Sequence, residues 1–453
     1  MNLLHKLIYS TKEDSMRAYT SFSTLQTPQH EAIPGQQQVQ NSAGGFVYKL
    51  DDWKAFERFL ILGSEGGTYY VTEKKLTKEN ALRTMKAIAQ DGARAVNMIV
   101  NVSDEGRAPK NDPAVFALAL AAAAADPTTR ALALAALPKV CRIPTHLFHF
   151  VTYVKQFRGF GRGLKRALAA WYNDLPVEKL AYEVVKYQER DGWSNADVLR
   201  LSHPKTSDPV RNAVYKWIVD GWDDVQRNGE YAAVIPEPIP AFETAKHISG
   251  HDITNLIRGR NLSREMLPTE ALTKPKVWEA LLDKMPLTAM IRNLGNMSKT
   301  GLLKPLSDAS KTVSDRLHDQ EAIRKARIHP VSVLIAMKTY SQGHGVKGKG
   351  EWTPVPSVVN ALDDAFYLAF KSLEPTGKRL LFAVDVSWSM GNLCGTLPIS
   401  CAEGAAAMAL ACVKTETDYY VMGFSQTFKD LGITSRMTLN EALQRTQDSN
   451  FGR

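Results

Sequence analysis

Between about Phe46 and Phe370 the apolar residues recur at helical spacing. Leu164, Ala167, Leu168, Trp171 and Tyr172 stand at i, i+3, i+4, i+7 and i+8, one stripe broad enough to face a core. Leu180, Val184 and Tyr187 repeat the spacing, as do Val277, Leu281 and Leu282, and then Val331, Ile335 and Met337–Tyr340. Short breaks holding Gly, Pro or Asn, such as Asn173-Asp174-Leu175-Pro176, separate the stripes. Few segments alternate as strands do. Many short helices with tight turns predict an all-α stack of helical hairpins, HEAT-like in kind although no strict sequence period is visible.

The pattern changes at the turn Glu374-Pro375-Thr376-Gly377. Leu380–Val384 is an uninterrupted apolar run ending at Asp385, which predicts a fully buried parallel strand. Ile399–Lys414 reads as a small-residue helix and Tyr419–Phe424 as a second strand. This order opens an α/β domain. The residues after Pro375 are too few for a whole doubly wound sheet, so an incomplete one is expected. Residues 1–45 are polar, rich in Gln, Ser and Thr, and read as a loosely ordered arm. The expected divisions are therefore 1–45, 46–375 and 376–453.

Composition narrows the class. Of 453 residues, 44% are hydrophobic and 23% charged, a globular balance that excludes a disordered chain or a collagen. No window holds 18 uncharged apolar residues, so no membrane span is expected; the Ala-rich run Pro113–Pro127 comes nearest. The four cysteines form no Cys-x-x-Cys pair and read as reduced thiols. Met1–Ser10 lacks the apolar core of a signal peptide.

The net charge is +9, and the excess lies entirely in residues 1–375, which favours a polyanion partner there. Lys155, Arg158, Arg162, Lys165 and Arg166 are five cations in twelve residues, interleaved with Phe157 and Phe160 and without an acid. On a helix drawn over Lys179–Arg190, Lys179, Lys186 and Arg190 share one face. Such a face with nearby aromatics can hold a nucleic-acid backbone and stack unpaired bases. Any single residue among them reads equally as a solvated side chain lying along its helix. His203 follows a helix close to that face. A second acid-free stretch, Ala322–Gly350, contains Gly343-His344-Gly345-Val346-Lys347-Gly348. That matches a dinucleotide pattern but follows a helix, so it reads as a basic loop. The turn Gly63-Ser64-Glu65-Gly66-Gly67 could cradle an anion or simply turn the chain. Asp385, Ser387 and Ser389 put three oxygen side chains directly after a strand. They suit a hard cation such as Mg²⁺, and equally a helix cap. No nucleophile elbow, phosphate-binding loop or His-Glu-x-x-His is present, so no enzyme is expected.

Several segments together resemble the Ro ribonucleoprotein autoantigen family, a TROVE module followed by a von Willebrand factor A-like domain. They are Leu62–Tyr70, Cys141–Phe148, Asp191-Gly192-Trp193-Ser194, Leu199–His203, Met285–Thr288, Arg327–Pro330, Glu374–Arg379 and Asp385-Val386-Ser387. The resemblance implies a mainly α fold, a ring of HEAT-like repeats, followed here by an incomplete α/β A-like domain. It implies a monomeric, cytoplasmic and also nuclear RNA-binding protein without a membrane partner. Its RNAs would be small Y RNA-like molecules and the single-stranded ends of misfolded non-coding RNAs, held in RNA quality control. Lys186, Arg190 and His203 fall on family positions that contact RNA. Asp385, Ser387 and Ser389 fall on the first loop of the family's metal site, for Mg²⁺ or another divalent cation. The family completes that site with a Gly-Gly-Thr-Asp segment and a later acidic loop, whereas this sequence ends in Gly452-Arg453, so an incomplete site is expected. A protein-interaction scaffold, with helical repeats and a metal-dependent A-like domain, is the alternative reading.

Overall fold

The computed structural model describes residues 31–40, 44–64, 73–346, 350–425 and 427–447. The chain divides between His247 and Ile248 into two compact units. The first opens with β1 (Gln38–Gln40) and β2 (Phe46–Tyr48), an antiparallel pair that sets Val39 against Val47. Part of the expected loose arm is therefore a paired strand, because the apolar Phe46–Tyr48 supplies its backbone partners. Residues 1–30 of that arm lie outside the described residues.

Helices follow: α1 (Asp52–Leu62), α2 (Glu73–Gln90), α3 (Gly92–Asp104), α4 (Asp112–Ala122), α5 (Pro127–Ala135), α6 (Leu137–Val140), α7 (Pro144–Phe157), α8 (Arg162–Asp174) and α9 (Val177–Lys186). A two-stranded hairpin, β3 (Glu189–Arg190) and β4 (Trp193–Ser194), comes next. The unit closes with α10 (Asn195–Ser202), α11 (Pro209–Asp220), α12 (Trp222–Arg227), α13 (Gly229–Val234) and α14 (Pro238–Ala245). Their starts are written in the sequence. Asp51, Asp91, Asp126 and Asp208 accept first-turn N–H groups of α1, α3, α5 and α11. Proline occupies the first turn of α4, α7 and α14, where a missing N–H costs nothing.

The Ala-rich run is α4, a core helix whose small side chains let α3, α5 and α7 pack closely around it. Leu164, Leu168, Trp171 and Tyr172 of α8 are buried as their spacing predicts, as are Leu180 and Val184 of α9. Tyr187, grouped with them by spacing, is only half-buried, because α9 ends one residue earlier.

The second unit begins with α15 (Gly250–Arg260), α16 (Pro275–Leu282), α17 (Leu287–Lys299), α18 (Asp308–Leu317), α19 (Gln320–Lys325), α20 (Pro330–Ser341) and α21 (Pro356–Phe370). Val277, Leu281 and Leu282 are buried. In α20 Tyr340 is buried as its spacing predicts, but Val333 and Leu334 are buried with it while Val331 and Ile335 are only half-buried. Tyr340 stacks on Trp352 and shares a 2.7 Å hydroxyl hydrogen bond with Ser298. The Trp352 ring lies so close to α17 that a Cβ on Gly295 would meet it at 2.7 Å, which requires glycine there.

The same unit continues into a small sheet: β5 (Leu380–Asp385), β6 (Tyr419–Phe424) and β7 (Phe428–Asp430), with α22 (Cys401–Thr415) between β5 and β6 and α23 (Leu439–Gln447) after β7. β5 and β6 are parallel, and β7 runs antiparallel to β6. Both strands and the intervening helix match the sequence reading. The burial of β5 does not: only Val384 is buried, and Leu381 is 40% exposed. Among the described residues β5 stands at the edge of the sheet, with β6 as its one strand neighbour and α22 packed against it, so an all-apolar strand is half uncovered. The helices and the sheet are tied by polar contacts. Lys338 Nζ of α20 donates to Glu403 Oε1 of α22 at 2.6 Å, and the Leu439 N–H donates to the Tyr367 hydroxyl at 3.0 Å. Thr376 N–H donates to Glu416 Oε1 at 2.7 Å.

Candidate nucleic-acid interface

The cations do not share one helix. α9 stops at Lys186, and Arg190 lies on β3, directly across from Trp193 of β4. The cause is local: Asp191 and Gly192 adopt positive φ of 54° and 75°, which a two-residue hairpin turn requires and a helix forbids. The expected i, i+4 pairing of Lys186 with Arg190 is therefore replaced by a helix end followed by a hairpin. A carboxylate also intrudes. Glu183 stands between Lys179 and Lys186 on α9, and its buried Oε2 has no hydrogen-bond partner among the described residues. Burial pushes the Glu183 carboxyl up, against the pull of Lys186 and Lys179. Lys179 is exposed in the first turns of α9, whereas Lys186 lies half-buried, 5.6 and 5.2 Å from the rings of Tyr182 and Tyr187.

Trp193 is the hub of the site, and spacing alone missed it. Lys155 Nζ lies 5.5 Å from its ring, and Phe160 meets it edge-on at 5.9 Å. Arg190 is its cross-strand neighbour. The visible signal was a tryptophan immediately after a turn-forming Asp-Gly. The hairpin is held down on α7, where His149 Nδ1 pairs with Asp191 Oδ2 and His149 Nε2 lies 3.8 Å from Asp112 Oδ1.

Beside the hub, α7 ends and α8 begins. Arg158 caps α7 and donates to the Ala122 carbonyl at 3.1 Å. Arg162, Lys165 and Arg166 occupy the opening of α8, whose N-cap, Gly161, supplies no side-chain acceptor. Cations at a helix N-terminus oppose its dipole, so the arrangement gains when an anion joins it. None of Lys155, Arg158, Arg162, Lys165 or Arg166 forms an ion pair with an acid among the described residues.

His203 terminates α10 in the left-handed conformation, at φ 50°, and is exposed. Asn195, at the other end of α10, donates to the Tyr187 carbonyl and accepts from the Tyr172 hydroxyl. α10 thus joins the end of α9 to His203 across about 12 Å, eight residues of helical rise. Lys186, Arg190, Trp193 and Lys155 gather at one end of this span, and His203 stands at the other. The Cys141–Phe148 segment is internal by contrast. Burial pushes the His146 imidazole down to about 4, and Trp171 donates to the Cys141 carbonyl at 2.5 Å.

In the second unit, Asp385 ends β5 and its Oδ1 accepts the Ser387 N–H at 2.8 Å. Ser387 Oγ and Ser389 Oγ lie 3.0 Å apart, and Trp388 between them is 94% exposed. The contact is a hydrogen bond between the two hydroxyls, and its length is also the spacing of about 3 Å between neighbouring ligands of an octahedral ion with oxygens at ~2.1 Å. Glu65–Gly67 of the glycine turn and Lys347–Lys349 of the basic loop lie outside the described residues.

Two family models match the chain: the TROVE domain over residues 39–244 and 258–339, and the Ro60 vWA domain over residues 379–453. The chain belongs to the Ro60 family. The RNA-binding protein RO60 of Deinococcus radiodurans is 40% identical over 443 residues, covering 95% of this chain and 81% of that protein. The RNA-binding protein RO60 of Caenorhabditis elegans is 33% identical over 489 residues, covering 92% and 76%. The crystal structure of the Deinococcus radiodurans RO (RSR) protein matches with a TM-score of 0.74 at 37% identity, over 89% of this chain and 81% of that one. The mainly α repeat fold followed by an A-like α/β part is therefore that of the Ro60 family. The TROVE match runs through both compact units, so the family's sequence boundary and the boundary of compactness differ in this Ro60 relative.

Proposed function

We propose that this chain is an RNA-binding protein, acting by binding rather than catalysis. It would hold small Y RNA-like molecules and the single-stranded ends of misfolded non-coding RNAs, within a ribonucleoprotein serving RNA quality control in the cytoplasm and nucleus. The observation that carries the reading is Trp193, a half-buried ring with Lys155 and Arg190 beside it, next to the uncapped basic start of α8. The cations would take phosphates, and the aromatic surface an unpaired base. The relatives named RNA-binding proteins support the same partner class. No helix among the described residues is long and apolar enough to cross a membrane.

A competition assay tests this reading. A hairpin with a single-stranded tail should displace bound RNA better than a blunt duplex of equal charge, because A-form duplex hides its base edges. Equal competition would contradict the use of unpaired bases.

The Asp385 loop supports a second role. Asp385, Ser387 and Ser389 would hold a divalent cation such as Mg²⁺, whose charge would attract a carboxylate of a protein partner. The exposed Trp388 in the same loop favours such a docking role.

A further inference from the structure

Cys394 and Cys401 lie on either side of the short turn that joins the Asp385 loop to α22. Leu393 and Ser400 form an isolated antiparallel bridge there. The Cys394 N–H donates to the Ile399 carbonyl and the Cys401 N–H to the Asn392 carbonyl, each at 2.9 Å. Cys394 therefore faces Ile399, and Cys401 is two residues beyond Ile399. In an extended pair that spacing puts both side chains on one face. The two Sγ atoms are 3.5 Å apart. The Cys394 thiol packs against the first turn of α22, where a Cβ on Gly404 would meet it in ordinary van der Waals contact at 3.8 Å. Cys141 is buried in the other compact unit, and Cys412 lies about three turns further along α22.

We propose that Cys394 and Cys401 form a reversible disulfide, a modification site that fastens the Asn392–Cys401 turn onto the start of α22. A small-molecule disulfide such as oxidised glutathione is the oxidant. One cysteine thiolate attacks a glutathione sulfur, forming a mixed disulfide and releasing one glutathione thiolate. The second cysteine thiolate then attacks the protein-side sulfur of that mixed disulfide and releases the other. Two protein thiols are oxidised, one small disulfide is reduced to two thiols, and the two cysteine protons pass to the leaving thiolates. Closing from 3.5 Å to the bonded ~2.05 Å asks for a movement of about 1.5 Å, within reach of a turn. Burial, and then the contact with Cys401, push the Cys394 thiol up to about 11. Closure therefore waits on its deprotonation and quickens by up to about tenfold per pH unit below that value. The bond would stiffen the link between the Ser389 loop and the turn of α22 that carries the Lys338–Glu403 pair.

The test is peptide mapping of the full chain under non-reducing conditions, after incubation with oxidised glutathione across pH 7 to 9. The expected result is a Cys394–Cys401 link, two of four thiols lost, yields rising with pH, and full reversal by dithiothreitol. Cys394→Ser should leave Cys401 carrying glutathione instead of a link, and Cys401→Ser the reverse. Glutathione on both Cys394 and Cys401 of the unaltered chain, free thiols at both of these positions, or links through Cys141 or Cys412 would overturn the proposal. The decisive reading comes from the unaltered chain, so it holds even where a variant folds poorly.

Discussion

The helical layers of the first unit and the sheet of the second bury their apolar residues by different means. In the first, cover comes from nearby in the chain: α4 packs on α3, α5 and α7, and Phe148, Phe150 and Leu147 disappear completely. In the second, β5 is apolar at five successive positions and buries one of them. A helix shows the core one stripe, which the next helix can cover. A parallel strand has two faces and two edges to satisfy, and its covers come from distant segments. The sheet is therefore anchored by a few polar ties to α20 and α21, notably Lys338–Glu403 and Tyr367–Leu439. Ile248–Arg453 is one compact unit.

Five substitutions probe this contrast. The largest effect should come from Phe148→Ala, which empties a fully buried site and should cost about 3–5 kcal/mol in urea unfolding. A cost below 1 kcal/mol would erase the difference between the units. Next is Trp193→Ala, which should weaken RNA binding by about 1–3 kcal/mol if a base stacks on it, while Trp388→Ala in the other unit leaves RNA affinity unchanged. Equal losses from both tryptophans would remove the distinction between the two sites.

Glu403→Gln should follow, at about 1 kcal/mol, since the Lys338 partner is partly exposed and water screens the pair. Burial pushes the Glu403 carboxyl up, but its hydrogen bonds from Lys338 and Ser400 outweigh this and hold it below its ordinary 4.5. A carboxyl depressed in the folded state adds stability that is present above 4.5 and lost as pH falls through the lower folded value. Urea midpoints between pH 3 and 6 should show that loss in the native chain and much less of it in the Gln variant. The smallest effect belongs to Leu381→Ala on β5, below about 1 kcal/mol, because its side chain is already 40% exposed. A loss as large as that of Phe148→Ala would mean that the face of β5 is covered after all.

Much of this was legible beforehand. The stripe through Leu164, Leu168, Trp171 and Tyr172, the order of β5, α22 and β6, and the Asp385 loop follow from spacing and turn residues. Arg190 escaped because helical spacing was carried across Asp191-Gly192, where positive φ selects a hairpin. Trp193 escaped because its partners, Lys155 and Phe160, are more than thirty residues earlier, and only folding brings them to it. The exposure of β5 escaped because an apolar run records what a strand can bury, not what covers it.

The central claim, that the cations around Trp193 hold RNA phosphates, is tested most directly by the salt dependence of affinity. Each phosphate contact contributes roughly 0.7 to 0.9 to the slope of log affinity against log salt concentration. The Lys186→Ala, Arg190→Ala double variant should bind more weakly and lose about one to two units of that slope, with its unfolding midpoint unchanged. A slope equal to that of the unaltered chain, in a folded double variant, would contradict the account.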